Sequence, residues 1–134
     1  MNTFTSAEIA YFADQKLGRL ATINQTGAPH VVPVGFSFNA ELGTIDIAGY
    51  NLMKSLKYRN VLRNGLAAFV VDDVLPPWQP RGIEVRGRAE IIKKGGQEII
   101  QNENVDAEFI RLTPQRIISW GIDTDPYHPN SRSV

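Results

Sequence analysis

A short segment of the chain concentrates side chains that bind anions. Residues 54–60 supply ammonium, hydroxyl, guanidinium and amide donors, from Lys54, Ser55, Lys57, Arg59 and Asn60. This mixture of charged and neutral donors suits a phosphate or a polyanionic tail. On a helix, Lys54, Lys57 and Asn60 follow one another at intervals of three and converge on one side. An ordinary solvated helix face has the same composition, so spacing alone leaves both interpretations open.

A proline-rich segment offers two more candidates. Residues 75–82 contain three prolines, which predict a stiff, irregular loop without helix or strand. Trp78 in this loop can cover the face of a flat ring or plug the mouth of a barrel. Arg81 can reach an anion or lie at the surface. His30 is interpreted as a strand-end surface residue rather than a general base.

Composition excludes several kinds of chemistry. The 134 residues include no cysteine, which rules out disulfides, thiolate nucleophiles and cysteine metal sites. The two histidines lie far apart in the sequence, so no metal is predicted. Fourteen basic and fourteen acidic residues balance, which predicts neither nucleic acid nor a membrane surface as the partner. The sequence motifs of hydrolase elbows, P-loops, dinucleotide folds and zincins do not occur.

The length predicts one domain spanning residues 1–134, without repeats or linkers. The first residues lack a basic segment followed by an apolar run, and no long apolar stretch occurs, so a cytoplasmic protein is expected. Residues 123–134 are polar and rich in turn formers. We expect them to form a tail that is mobile or lies on a partner.

Hydrophobic periodicity predicts six strands and a few short helices. The strands fall at 19–23, 30–39, 44–50, 66–71 (apolar enough to be buried on both faces), 83–91, and a last strand in two halves at 108–112 and 116–122. The helices fall at 6–15, 51–64 and 97–102. The first three strands suggest a meander. The whole predicts a mainly β fold, a small antiparallel barrel, because closure removes exposed sheet edges.

The second predicted strand has two distinct faces. Val32 and Val34 alternate with Val31 and Pro33, so one face makes core and the other leaves room. Pro33 cannot donate to a neighbouring strand. It therefore predicts an edge, a bulge or a place where another group approaches the backbone.

Five segments together resemble a known family. Residues 18–24, 27–34, 57–61, 67–73 and 81–90 are similar, in order and spacing, to the pyridoxamine 5′-phosphate oxidase-like, FMN-binding split β-barrel proteins. Within that family the chain looks most like the oxidoreductases that depend on the deazaflavin coenzyme F420. The likeness spans roughly residues 6 to 122 and implies a six-stranded antiparallel split β-barrel.

The resemblance also implies an assembly and a cofactor site. It implies a homodimer with two sites at the subunit interface, each bounded by both chains. The second strand contacts the deazaflavin ring, through Val31, Val32, Pro33 and Val34. The helix after the third strand holds the phosphate and tail, through Ser55, Lys57 and Asn60, together with Lys54. Trp78 and Arg81 lie in a pocket-closing loop that acts across the dimer.

The implied activity is that of an F420-dependent oxidoreductase, in which the reduced coenzyme passes a hydride to an activated C=C or similar small organic acceptor. An FMN-dependent oxidase or reductase of the same fold is one alternative. A non-catalytic flavin- or haem-binding barrel is another. Oxidation of pyridoxamine phosphate is not expected, because the substrate-phosphate cluster of the true oxidases has no match. No residue is assigned as a catalytic group, and the physiological substrate is not legible.

Overall fold

The computed structural model describes residues 3–134, in which eight antiparallel strands and three short helices occur. The helices are α1 (Ser6–Ala13), α2 (Leu56–Asn64) and α3 (Gly96–Ile100), and a 3-10 turn at Leu52–Lys54 precedes α2. The strands are β1 (Leu17–Ile23), β2 (Pro29–Gly35), β3 (Ser37–Asn39), β4 (Thr44–Ile47), β5 (Leu66–Leu75), β6 (Gln79–Ile92), β7 (Phe109–Trp120) and β8 (Asn130–Ser133). Residues 1–2 of the predicted domain lie outside the described residues.

The sheet closes on itself through one bent strand. Its order is β2-β1-β5-β6-β7-β4-β3, with β8 added to β7. β2 and β3 lie at opposite ends of this order, yet only Phe36 separates them in the chain. Taken as one strand, they leave six strands around the barrel, so the predicted mainly β split barrel is confirmed. The consecutive pairings of a meander are also present, with the bend at Phe36 inside the middle strand.

Alternate residues of the strands fill the barrel. Leu20, Val85 and Ile117 are fully buried, and Leu52 and Val61 add side chains from the α2 region. α1 begins with a capping box at Thr5: its hydroxyl accepts from the Glu8 backbone N–H, and the Glu8 carboxylate accepts from the Thr5 N–H. A cluster of aromatic rings joins α1 to β3, made of Phe4, Phe12, Phe36 and Phe38.

The predicted irregular loop at 75–82 is wrong. β5 runs to Leu75 and β6 starts at Gln79, which leaves a three-residue turn. Pro76 and Pro77 lie in that turn, where no ladder donor is needed. Pro80 pairs with Val74 of β5. Its missing N–H costs no hydrogen bond to β7, because β7 pairs with β6 only from Gly82 onward. Proline therefore did not prevent the two strands from extending.

The last strand and the tail also differ from the prediction. β7 is continuous, and the expected interruption at Thr113-Pro114 is a bulge in the pairing with β6 that leaves Gln115 without a register partner. The tail contains β8, which pairs with β7 from Ser119 to Arg116. β8 was not among the predicted strands, because its pairing uses backbone groups and polar side chains that periodicity does not detect. Among residues 3–134, no helix combines the length and the apolar character needed to cross a membrane.

Candidate functional site

An open, largely apolar surface lies on the outside of the sheet, and we call it the β1–β5 face. Ala21 stands at its centre, since the register places it between Val31 and Ala68. One cavity of about 320 Å³ is lined by Arg19, Ala21, Val31, Ala68, Phe69, Val70, Glu84 and Trp120. A second, of about 200 Å³, is lined by Ala21, Ile23, Leu66, Ala67, Ala68 and Arg86. The face thus offers adjoining shallow sites bordered by charge.

β2 forms the open edge beside this face. Among the described strands it pairs with β1 alone, so of the three alternatives predicted from Pro33 the structure shows the edge. Val31 is 64% exposed and Pro33 is exposed, whereas Val34 is buried and Val32 packs against the core. A ligand along this edge therefore meets the side chains of Val31 and Pro33, and meets Val32 and Val34 only through backbone atoms.

The anion-binding candidates are divided by a break in the helix. Ser55 is extended and is the N-cap of α2: its hydroxyl accepts from the Tyr58 N–H at 3.3 Å and donates to the Leu52 carbonyl at 2.6 Å. Lys54 consequently lies on the preceding 3-10 turn, exposed to solvent. The expected continuous helical face is therefore wrong for Lys54, and the Ser55 hydroxyl already serves to start the helix.

Lys57 is the least exposed cation of this segment. Its side chain is half-buried, and it makes no hydrogen bond or ion pair with another described residue. Burial lowers the pKa of its ammonium, because desolvation disfavours the charged form. A partly desolvated ammonium without a carboxylate gains most from an incoming anion. Lys57 therefore remains the strongest anion-binding candidate in the segment.

Asn60 faces the barrel instead of solvent. It is fully buried; its amide donates to the Thr22 hydroxyl at 3.0 Å, and its carbonyl accepts from Arg63 at 3.1 Å. These bonds fix α2 against β1. The structure thus gives Asn60 a positioning role and leaves no surface of it for a ligand.

Arg81 belongs to a compact polar cluster. Its guanidinium donates to both carboxylate oxygens of Asp73, at 2.8 and 3.0 Å, and lies 4.9 Å from the centroid of the Tyr11 ring. The Tyr11 hydroxyl donates to the same carboxylate at 2.7 Å. The hydrogen bonds from Arg81 hold the pKa of Asp73 below its usual value. Within the chain, Arg81 therefore ties the hairpin to α1.

Trp78 lies at the hairpin turn and is 66% exposed. It therefore does not plug the barrel mouth, which removes one of its two sequence-based interpretations. Neither Trp78 nor Arg81 lines the cavities of the β1–β5 face. Within one chain, the structure therefore does not bring Trp78 and Arg81 together with the residues that line this face.

Much of the lining of this face was not predicted from the sequence. Arg19, Ala21, Ala68, Val70, Glu84 and Trp120 were not selected. The small residues of β1 and β5 were the available signal, because alternate positions with short side chains leave space above a sheet. His30 is half-buried on β2, opposite Thr22, and its buried Nδ1 has no hydrogen-bond partner among residues 3–134. It is less exposed than a strand-end surface residue.

The chemistry offered by the β1–β5 face is binding by apolar surface beside charge. Among residues 3–134, no group of three or more His, Asp or Glu side chains is placed to hold a metal ion. The face presents an open strand edge and small side chains. Lys57 lies outside its two cavities, on α2, which packs against β1 through Asn60 and Thr22. Together with the closed, bent-strand sheet, these features define a split β-barrel suited to a flat ligand with an anionic group.

Comparison with known proteins identifies the family. The model of the pyridoxamine 5′-phosphate oxidase family matches residues 5–131. The chain therefore belongs to this family, and the resemblance drawn from its five segments is confirmed at that level. A relative from Streptomyces rimosus, 5a,11a-dehydrotetracycline/5a,11a-dehydrooxytetracycline reductase, is 44% identical over 124 residues, covering 91% of this chain and 86% of the relative.

Solved structures share the fold at low sequence identity. A conserved hypothetical protein from Mycobacterium tuberculosis has a TM-score of 0.70 at 21% identity, covering 94% of this chain and 88% of that one. An FAD binding protein from Mycobacterium smegmatis has a TM-score of 0.64 at 16% identity, with both chains fully covered. These likenesses establish the split barrel as the architecture.

Proposed function

We propose that this protein is an F420-dependent oxidoreductase acting on the activated double bond of a small organic acceptor. The relative that is 44% identical is named as a reductase of such a compound, which supports oxidoreductase activity on a small organic substrate. The observation that carries the choice of an anionic cofactor is Lys57, half-buried and without a carboxylate partner. F420, when bound, supplies the hydride chemistry.

The residues of the chain divide the work of binding. The exposed side chains of Val31 and Pro33, with the backbone of Val32 and Val34, support the ring along the open edge of β2. Lys57 neutralises the phosphate, and Lys54 adds positive charge in solvent. Ser55 and Asn60 act indirectly: Ser55 caps the N-terminus of α2, and Asn60 holds α2 against β1.

A second copy of the chain completes the site in this proposal. The β1–β5 face is the dimer interface, so that each cofactor site is bounded by both chains. Trp78, exposed at its turn, then covers the ring of the partner's site, and Arg81 stands beside it. No residue is assigned as proton donor, and solvent fills that role.

Titration of F420 against the purified protein, followed by fluorescence quenching, tests the proposal. Lys57→Ala is expected to weaken F420 binding about tenfold or more, since a charge-assisted hydrogen bond contributes about 1.5 to 3 kcal/mol. Lys16→Ala removes an exposed lysine next to the start of β1, at the opposite end of that strand from Thr22, where α2 packs, and serves as the matched control with unchanged affinity. Equal affinity of the wild type and Lys57→Ala would remove Lys57 from the site.

The same preparation distinguishes the alternative cofactors. FMN also carries a phosphate and would suit Lys57, but it gives the isolated protein a visible flavin absorbance, as haem gives a Soret band. Either band in protein purified without added cofactor counts against the F420 proposal. Colourless protein that quenches F420 fluorescence supports it.

A further inference from the structure

A separate pocket lies between α1 and the bent strand, and we call it the α1–β3 pocket. It has a volume of about 370 Å³ and is lined by Ile9, Phe12, Ala13, Gln15, Phe36, Ser37, Phe38 and Ala40. It shares no residue with the cavities of the β1–β5 face. The volume falls within the range of small-molecule sites, about 300 to 1,000 Å³.

The pocket has a flat and well-supported aromatic wall. The rings of Phe12 and Phe38 stack at 12° with centroids 5.2 Å apart, and Phe36 meets Phe12 edge-on at 6.1 Å. Phe4 contacts both stacked rings edge-on, each at 5.2 Å. Because several neighbours fix each ring, the wall is preorganised for another flat ring.

The uncharged lining of the pocket disfavours charged ligands. No Asp, Glu, Lys, Arg or His side chain lines the pocket. Two uncharged polar residues, Gln15 and Ser37, line it, and neither side chain makes a hydrogen bond within the described protein. A charged ligand would lose hydration here without gaining a counter-charge, whereas a neutral ligand can use these two polar groups.

The pocket continues the strand proposed to support the cofactor ring. Phe36 follows β2 directly, and it lies two residues, about 7 Å, beyond Val34. An acceptor must bring its reacting atom within about 3.5 Å of the donor atom, so its site has to adjoin that strand. We propose that the α1–β3 pocket binds the neutral, flat ring of the acceptor substrate. Its role as the acceptor site rests on the proposed function.

A pair of ring compounds that differ in charge tests the pocket without any cofactor. 2-Naphthol and 2-naphthoate have the same fused ring, and at pH 7 only the second is an anion. We expect 2-naphthol to bind the full chain at least fivefold more tightly than 2-naphthoate, measured by calorimetry and by NMR shift changes at α1 and β3. Equal binding of the two compounds, or binding of neither, overturns the proposal.

Two substitutions on α1 locate the binding. Ala13 is exposed and lines the pocket, so Ala13→Trp is expected to fill it and weaken 2-naphthol binding at least fivefold. Ala10 is equally exposed on the same helix but does not line this pocket, so Ala10→Trp is the matched control with unchanged affinity. Unchanged binding in Ala13→Trp, with native thermal stability, overturns the assignment.

The cofactor titration separates failure of the pocket from failure of the proposed function. Ala13→Trp is expected to retain wild-type affinity for F420 and to raise KM for a ring acceptor. Because 2-naphthol binding is measured without cofactor, a wild type that fails to bind F420 removes the cofactor proposal and leaves the ring-binding result standing. F420 binding with no 2-naphthol binding removes the pocket alone.

Discussion

At the scale of single residues, Glu8 is a buried carboxylate held by several hydrogen bonds. It is fully buried in α1, and its carboxylate accepts from Arg132 at 2.6 Å, from the Ser119 hydroxyl at 2.6 Å and from the Thr5 N–H at 2.9 Å. Burial alone would raise the pKa of Glu8, but these hydrogen bonds outweigh burial and lower it. One carboxylate thus joins the first helix to β7 and β8.

Glu8→Gln is expected to lower the free energy of unfolding by about 3 to 5 kcal/mol at pH 7, because it leaves the Arg132 charge without its buried partner. Urea denaturation measures the loss. Glu41→Gln, at an exposed turn position, is the control and is expected to change stability by less than about 0.5 kcal/mol.

The pH dependence of this loss has a defined sign. The folded pKa of Glu8 lies below its ordinary value of 4.5, so the carboxylate stabilises the fold fully above that value. The contribution disappears as pH falls through the folded pKa. The difference in stability between the wild type and Glu8→Gln should therefore shrink below pH 4.5, and a difference that stays constant down to pH 3 would show that charge is not its origin.

At the scale of elements, the start of α2 decides where an anion can bind. The hydroxyl of Ser55 caps the helix, and Lys57 follows two residues later. Helix N-termini favour negative charge, since their free N–H groups and dipole are positive. The cap and the proposed anion site therefore share one end of the helix, and substitution at Ser55 can separate them.

Ser55→Ala is expected to lower the unfolding free energy by about 1 kcal/mol, because it removes the cap. Ser55→Asp retains a good N-cap and should keep stability within about 0.5 kcal/mol of the wild type. Its carboxylate, however, pairs with Lys57 and repels a phosphate, so F420 affinity should fall severalfold. Urea denaturation and F420 titration read the two effects separately. An Asp variant that binds F420 as tightly as the wild type would place the anion elsewhere.

The strands were largely predictable, and the failures have physical causes. Alternation located β1, β2 and β6, because one buried face imposes a period of two. The apolar run 66–71 located β5, and β7 was expected as two halves. The end of β5 and the start of β6 were not predicted, because the prolines were taken to exclude a strand. Proline excludes a strand only where its N–H is needed for a hydrogen bond to a neighbouring strand. β8 was not predicted because it is held in place by the ion pair between Arg132 and Glu8, and such a contact leaves no hydrophobic periodicity in the sequence.

The candidate site was predictable only in part, since its geometry depends on neighbours distant in sequence. Spacing placed Lys57 among the anion-binding candidates, but the absence of a partner for its ammonium among the described residues is visible only in the fold. Asn60 has a suitable type and spacing, yet Thr22 of β1 and Arg63 take its amide. Arg81 is likewise paired with Asp73 across a hairpin that the sequence did not predict.

At the scale of the whole molecule, the outer face of β5 exposes apolar side chains that a single chain leaves uncovered. The apolar run 66–71 predicts a strand buried on both faces, but Leu66 is 46% exposed and nearby Val31 is 64% exposed. Contiguous apolar surface of this kind is typical of interaction sites. A second copy packed on the β1–β5 face would satisfy the sequence pattern and would bring a partner's Trp78 hairpin toward the strand edge.

Ala21→Arg tests this assembly, because Ala21 lines both cavities at the centre of the β1–β5 face. A buried, unpaired guanidinium at a dimer interface is strongly unfavourable, so the variant should be monomeric at concentrations where the wild type is dimeric. Analytical ultracentrifugation measures the two states. Leu42→Arg, at an exposed turn between β3 and β4, is the matched control and should remain dimeric. If both chains form each cofactor site, the monomeric Ala21→Arg variant should also lose affinity for F420. A wild type that is monomeric would exclude this face as an interface. An Ala21→Arg variant that still dimerises would exclude it too.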